Sequence, residues 1–133
     1  MMPALLETIL YTPHPLRCAA FYQSLLGLRP IGTPDEHMAA LRVDERSVLL
    51  LFDPEYASQP GRPVPSHGAR GPGHVAFLVD DLDAWPARLA QHGVDIEREV
   101  TWPVEFFRAG RSIYFRDPAG NSVEVMDTDI WPP

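Results

Sequence analysis

The sequence predicts an α+β fold built from two βαβββ modules. A strand, a helix ended by glycine and a group of strands occur in the same order in each half of the chain. The strands that follow each helix are consecutive, which favours antiparallel pairing over a simple α/β arrangement. With 133 residues, the chain is long enough for one domain but not for two independent cores.

The first module covers about residues 5–55. Its opening strand, ETILYT at 7–12, places Glu7 and Ile9 on one face by period-two alternation. Pro15 suits the first turn of a helix over 16–26, and Gly27 is the expected stop. Strands are predicted at 29–32, 38–43 and 47–53, the last with a run, VLLLF, that we expect to be buried on both faces.

A connecting loop is predicted at about residues 54–72, where the chain becomes rich in Pro and Gly. A structureless connection of this length is unusual inside a compact domain. It is typical of a lid, a binding loop or a crossover between modules.

The second module covers about residues 73–128. We expect a strand at 74–79, a helix at 82–92 that carries Pro86 in its first turn, and a strand at 95–100. The inward positions predicted for this helix are Leu82, Trp85, Leu89 and Ala90.

The module ends in a predicted hairpin, SIYFR and NSVEVM, joined by the turn at 117–120. In its second strand Glu124 stands between Val123 and Val125, so alternation places it on the opposite face from the valines. If the valines face the core, Glu124 faces either water or a cavity.

Composition narrows the classes of function. The formal charge of −7 disfavours an extended nucleic-acid surface, and the absence of lysine rules out Schiff-base chemistry on a lysine amine. No apolar run is long enough to cross a membrane, and the first residues lack the pattern of a secretory signal. We therefore expect a cytoplasmic protein with a small-molecule partner.

Three metal-ligand side chains interrupt otherwise apolar strands: Glu7, His74 and Glu124. Two carboxylates and an imidazole suit Fe, Mn, Ni, Co or Zn as a divalent ion, with positions left open for substrate. Taken singly, a hydrogen-bonded structural histidine or a solvent-facing glutamate explains each residue as well. Corresponding places in two modules favour a shared metal site.

Three stretches together resemble the vicinal oxygen chelate superfamily, which includes glyoxalase I, extradiol dioxygenases and fosfomycin- and bleomycin-resistance proteins. They are ETILYTPHPLRCAAFYQSLLGL, GPGHVAFLVDDLDAW and GRSIYFRDPAGNSVEV, and they span nearly the whole chain. The resemblance implies two βαβββ modules curled around a shared cavity. It also implies Glu7, His74 and Glu124 as metal ligands, and a homodimer.

Two departures from the family pattern limit what the resemblance implies. The first ligand is commonly histidine in these enzymes, and here it is Glu7. The carboxylate that glyoxalase I carries late in its first module falls near Leu50, which cannot bind a metal. Glyoxalase I activity is therefore disfavoured.

Further site residues are predicted besides the three metal-ligand side chains. By the resemblance, Tyr114 is a candidate proton donor. His67, in the loop just before His74, is a candidate general base or lid residue. Arg108 is a candidate for holding an anionic group, and Phe52 for contacting substrate. A core position for Tyr114, and surface positions for His67 and Arg108, would explain these residues too.

Trp102, Phe106 and Phe107 form a cluster before the final hairpin. An apolar wall of a substrate pocket would explain them, with Trp102 in contact with the substrate. An ordinary core or a dimer contact would explain them equally well.

The function predicted from these observations is that of a metal-dependent enzyme acting on a substrate with adjacent oxygens. Isomerisation, dioxygen insertion and transfer to an electrophile all remain open. The alternatives are a metal-free protein that sequesters a drug or metabolite, and a ligand-sensing accessory module.

Overall fold

The structure, a computed structural model, describes residues 2–105 and 107–133. The chain divides into two units, one ending at Gly73 and the other beginning at His74. Each unit contains a four-stranded mixed sheet and helical segments in the order βαβββ. This confirms the predicted fold class.

The first unit pairs its strands in the order β1-β4-β3-β2. The β1–β4 pair is parallel, because the chain passes through a helix and two further strands before β4. The other pairs are antiparallel. The elements are β1 (Glu7–Tyr11), α1 (Pro15–Leu26), β2 (Arg29–Ile31), β3 (Met38–Arg42) and β4 (Val48–Phe52).

Helix α1 forms where the sequence predicts it. Pro15 occupies the first turn, and Gly27 closes the helix in the left-handed region at φ 70°, where its N–H donates to the carbonyl of Gln23 at 3.0 Å. The helix buries one side, including Tyr22 and Leu25, against β3 and β4. The strand residues beneath it are also buried, namely Leu10, Ala39, Leu41, Leu49 and Leu51.

The expectation that VLLLF is buried on both faces is wrong. Leu49 and Leu51 face the helix and are fully buried, whereas Val48 and Leu50, on the opposite face, are half-buried. Phe52 is buried at the end of the strand. Only the helix-facing side of this strand is therefore core along its whole length.

The predicted connecting loop contains a short helix, α2 (Pro54–Ala57). Asp53 supplies its N-cap, because its side chain accepts from the N–H of Glu55 at 3.2 Å. Pro54 stands in the first turn, as it does in α1. The expectation of a purely irregular segment is therefore wrong at its start.

The second unit repeats the pairing pattern, in the order β5-β8-β7-β6. The β5–β8 pair is parallel and the other two are antiparallel. The elements are β5 (His74–Leu78), a 3₁₀ turn (Leu82–Ala84), α3 (Trp85–Gln91), β6 (Arg98–Trp102), β7 (Gly110–Arg116) and β8 (Ser122–Met126).

Two predicted elements of this unit differ from the structure. The helix expected over 82–92 begins as 3₁₀ and becomes α-helical at Trp85, so Pro86 does lie in its first turn, but Ala90 is exposed. The strand expected at 95–100 lies at Arg98–Trp102 instead. It continues to Trp102 because β7 provides pairing partners back to Gly110.

The final hairpin forms as predicted. Gly120 has φ 86°, and the Asp117 carboxylate accepts from the backbone N–H groups of Ala119 and Asn121 at 2.9 Å each. Val123 and Val125 are fully buried. The valines therefore face the core, and Glu124 projects from the other face of the sheet.

In the part of the chain described, no helix has the length and apolar character needed to cross a membrane.

Candidate functional site

The face of the second sheet opposite α3 carries the candidate site. Tyr114 on β7 and Glu124 on β8 are direct cross-strand partners, so both side chains project from this face of the sheet. Ser112 lies two residues before Tyr114 and shares the face, as does His74 through its pairing with Ser122. The structure thus brings three of the predicted site residues together.

Glu124 is a buried carboxylate, 5% exposed. The hydroxyl of Ser112 donates to its Oε2 at 2.6 Å, and the Ser112 oxygen in turn accepts from the indole N–H of Trp102 at 3.0 Å. Ser112 is itself buried, at 1% exposure. A charged group removed from water needs such donors, so this chain of hydrogen bonds holds Glu124 in one orientation.

His74 lies against the other oxygen of the same carboxylate. Its Nε2 is 3.2 Å from Glu124 Oε1, while its Nδ1 is 3.1 Å from the carbonyl oxygen of Ser122 and 3.2 Å from the Ser122 hydroxyl. Two tautomers fit these distances. With Nδ1–H donating to the carbonyl, Nε2 carries no proton, as in a metal-binding histidine whose ring is oriented by a backbone carbonyl; with Nε2–H donating to Glu124, Nδ1 accepts from the Ser122 hydroxyl.

Tyr114 stacks beside this pair, with its ring centroid 6.1 Å from that of His74 and the planes inclined by 19°. Burial, then the negative charge of Glu124 and a hydrogen bond to its carboxylate, raises the pKa of Tyr114 to about 12. The phenol therefore keeps its proton at neutral pH and acts as a donor.

Glu7 belongs to the first unit and is exposed at the start of β1. It pairs with Val48, the first residue of β4, just as His74 pairs with Ser122, the first residue of β8. Glu7 and His74 therefore hold equivalent positions in their units.

The same register aligns Leu50 with Glu124, because each is the third residue of the last strand of its unit. Within the first unit, Leu50 pairs with Ile9 on one side and Ala40 on the other. No donor atom for a metal is available at Leu50, in agreement with the expectation from the sequence.

His67 packs onto the same face of the first sheet that carries Glu7. Its Nδ1 is 2.7 Å from the hydroxyl of Tyr11, and its ring meets that of Phe52 edge-on at 4.8 Å between centroids. Its backbone N–H donates to the carbonyl of Ala57 at 3.0 Å. The connecting segment is thus fastened to β1 and β4 through His67, and the catalytic and substrate roles of His67 and Phe52 stay predictions.

Arg108 and the aromatic residues near it contact the C-terminal segment. The Arg108 guanidinium donates to the carbonyl of Trp131, at 2.9 Å from Nε. The Phe107 ring lies 4.8 Å from that of Trp102 and 4.9 Å from that of Trp131, edge-on to both. Phe106 lies outside the described residues, and a substrate contact by Trp102 or Arg108 stays a prediction.

Comparison with known proteins places this geometry in a family. Residues 4–125 match the family profile described as Glyoxalase/Bleomycin resistance protein/Dioxygenase superfamily. The chain belongs to this superfamily.

Three individual proteins are also similar to this chain. A crystal structure of lactoylglutathione lyase from Agrobacterium tumefaciens is 36% identical with a TM-score of 0.86, over 98% of this chain and 97% of that one. The uncharacterized protein YaeR of Escherichia coli K12 is 32% identical over 81% of this chain and 83% of its own. The metallothiol transferase FosB of Shouchella clausii is 44% identical, but only over 39% of this chain and 36% of its own.

The donor chemistry of the second unit suits the metal that superfamily membership implies. His74 and Glu124 offer a nitrogen and an oxygen side by side, a set compatible with divalent Fe, Mn, Ni, Co or Zn. Among residues 2–105 and 107–133, however, no group of three or more His, Cys, Asp or Glu side chains is arranged to hold a metal ion. The pair therefore offers two donor atoms, and any further ligand is a matter for proposal.

Sequence reasoning missed Ser112 and Ser122 as members of the site. Both are small polar residues on strands, and although both lie in the stretch GRSIYFRDPAGNSVEV, neither was singled out there. Period-two alternation places Ser112 on the face of Tyr114, which is a signal available from the sequence. Its hydrogen bond to Glu124 depends on the pairing of β7 with β8.

Proposed function

We propose that the protein is a metal-dependent enzyme of the vicinal oxygen chelate type, acting on a small substrate with adjacent oxygen atoms. The adjacent His74 and Glu124 side chains, with the His74 ring held at the carbonyl of Ser122, carry this proposal. Glu7, equivalent in position to His74, is the third proposed ligand, supplied by the same chain or by the partner in a homodimer. A divalent cation held by these residues would polarise the oxygens of the substrate.

The residues around the ligands have separate proposed roles. Tyr114 keeps its proton, which bonds the Glu124 carboxylate, and it would donate to a substrate oxygen near His74 once a cation takes up that carboxylate. Trp102 would form an apolar wall, because its ring lies against Phe107 while its N–H is engaged by Ser112. Leu50, in the position equivalent to Glu124, argues against glyoxalase I activity, whereas the 36% identity to lactoylglutathione lyase, which is glyoxalase I, argues for it.

A metal-free binding protein is the second candidate. It is favoured by the hydrogen bonds that Glu124 already receives from Ser112 and Tyr114, which stabilise the carboxylate without a cation. In that case the face around Trp102 and Tyr114 would bind a drug or metabolite by apolar and polar contacts alone.

Metal analysis separates the two candidates. Protein purified without chelator is analysed for bound metal, then titrated with Mn, Fe, Ni and Zn, as wild type and as His74→Ala. We expect one divalent ion in the wild type and loss of binding in His74→Ala. His92→Ala is the matched control, because His92 caps the C-terminus of α3 and its Nδ1 lies 2.8 Å from the local carbonyl oxygen of Arg88.

A wild-type protein that contains no metal and takes up none of the four ions would overturn the enzyme proposal in favour of the binding protein. Equal loss of metal in His74→Ala and His92→Ala would show that the ion binds elsewhere.

A further inference from the structure

We infer that Ser112 and Trp102 are positioning residues that fix how Glu124 presents itself to the metal. Trp102 donates to Ser112, and Ser112 donates to Oε2 of Glu124, while Oε1 is the oxygen that faces His74. This inference rests on the proposed function, since it concerns the carboxylate proposed as a ligand.

Two consecutive hydrogen bonds connect Trp102, Ser112 and Glu124, and the direction of each is determined by its donor. The indole N–H of Trp102 can only donate, so the Ser112 oxygen accepts from it at 3.0 Å. The Ser112 proton is then directed to Glu124 Oε2, at 2.6 Å, the short length typical of a hydroxyl bound to a carboxylate. With Ser112 1% exposed and Glu124 5% exposed, water does not readily substitute for these bonds.

The first unit provides an internal comparison. Register places Met38 where the second unit has Ser112, and Leu50 where it has Glu124. The buried hydroxyl is thus present in the unit that has the carboxylate and is replaced by an apolar side chain in the unit that lacks it. The two positions therefore differ together, as expected if the Ser112 hydroxyl serves the Glu124 carboxylate.

A carboxylate with one oxygen occupied binds a cation through the other. Loss of the Ser112 hydroxyl removes the hydrogen bond at Oε2 and leaves the carboxylate held by Tyr114, so both the affinity and the coordination of the bound ion should change. Removal of such a supporting group typically weakens metal binding by about 10- to 100-fold. Trp102 acts through Ser112, so its loss has a smaller effect in the same direction.

Cobalt(II) alone is the probe, because its visible absorption spectrum reports the number and arrangement of ligands. Wild type, Ser112→Ala and Trp102→Phe are titrated with cobalt(II), and both affinity and spectrum are recorded. We expect Ser112→Ala to bind about 10- to 100-fold more weakly with a shifted spectrum, and Trp102→Phe to show a smaller change of the same kind. Ser24→Ala, an exposed serine on α1, is the matched control and is expected to behave as wild type.

The outcomes separate this inference from the proposed function. Cobalt binding by the wild type with unchanged affinity and spectrum in Ser112→Ala overturns the positioning role and leaves the metal site intact. Absence of cobalt binding in the wild type overturns the proposed function, and the positioning role with it. If Ser112→Ala does not fold, as judged by circular dichroism, an unchanged Trp102→Phe overturns the inference.

Discussion

The two units share one strand register but use it for different surfaces. On the helix-facing side they are alike, since Leu49 and Leu51 of β4 and Val123 and Val125 of β8 are all fully buried. On the opposite side the middle residue of the last strand is Leu50 in one unit and Glu124 in the other. One face thus maintains the fold, while the other is free to differ in chemistry.

The neighbours of the middle residue differ accordingly. Glu124 has Tyr114 beside it and Ser112 within hydrogen-bonding distance, whereas Leu50 has Ala40 as its partner on the neighbouring strand. A buried carboxylate needs donors, and those donors occur on the second sheet. The chemical difference between the two faces is therefore a difference between sets of neighbouring residues.

The opposite end of this face differs as well. Tyr11, the last residue of β1, holds His67 of the connecting segment, while the equivalent Leu78 of β5 is 67% exposed. In the first unit, the last residue of β1 thus holds the connecting segment against the sheet.

The largest expected effect tests the separation of the two faces in the first unit. Leu51→Ala should lower the free energy of unfolding by about 2–5 kcal/mol, because it leaves a cavity beneath α1. Leu50→Ala, on the half-buried face, is the control and should cost clearly less. Urea denaturation of both variants measures the difference, and equal costs would show that the two faces are equally important to the core.

The next test concerns the chemical difference at the middle position. Glu124→Gln should weaken divalent-metal binding by more than about 100-fold, because it removes a proposed ligand where loss of a supporting group already costs 10- to 100-fold. Calorimetric titration with the ion found in the wild type provides the measurement. Leu50→Gln places the same amide in the other unit and should leave affinity unchanged; similar losses in both would show that the ligand set is wrong.

A smaller effect is expected where the connecting segment is attached. Tyr11→Phe removes the hydroxyl that lies 2.7 Å from His67 Nδ1 and should cost about 1 kcal/mol of stability. Limited proteolysis should then cleave the segment at 58–72 faster than in wild type. Tyr56→Phe is the matched control, because the ring of Tyr56 makes its contacts with His37 and Arg62. Unchanged cleavage in Tyr11→Phe would mean that other contacts hold the segment.

The smallest effect concerns the aspartates that follow the two last strands. The backbone N–H of Arg111, and then its guanidinium, hold the pKa of Asp127 below its ordinary value of 3.8. A carboxyl group with a lowered pKa stabilises the fold above that ordinary value and loses the contribution as pH falls through the folded-state pKa. Asp127→Asn should therefore cost up to about 1 kcal/mol at pH 7, discounted for the exposed Arg111 partner, and less below pH 3.8.

Asp53, at the equivalent place after β4, supplies the control for that test. It caps α2, and Asn caps a helix about as well as Asp, so Asp53→Asn should change stability little at either pH. Thermal unfolding at pH 7 and below pH 3.8 measures the stability of both variants. A cost of Asp127→Asn that does not vary with pH would refute the role assigned to its charge.

Local patterns predicted much of the fold. Pro15 and Gly27 marked the ends of α1, and the turn at 117–120 marked the final hairpin, because these residues act through their own backbone angles. The start of β6 was misplaced by three residues, since the limits of an edge strand depend on how far its partner extends. The helix in the connecting segment was missed because four residues are too few to show periodicity.

By itself the sequence determined which side chains share a strand face, because alternation is a property of the local backbone. It therefore identified Glu124 as a carboxylate opposite two core valines, and Glu7 and His74 as equivalent strand openings. Only the tertiary structure decided that Tyr114 pairs with Glu124. It also decided that Ser112, itself bonded by Trp102, holds one oxygen of the Glu124 carboxylate, and that His67 contacts Tyr11. These contacts join residues distant in sequence, and a shift of register by a single residue would abolish the strand-borne ones.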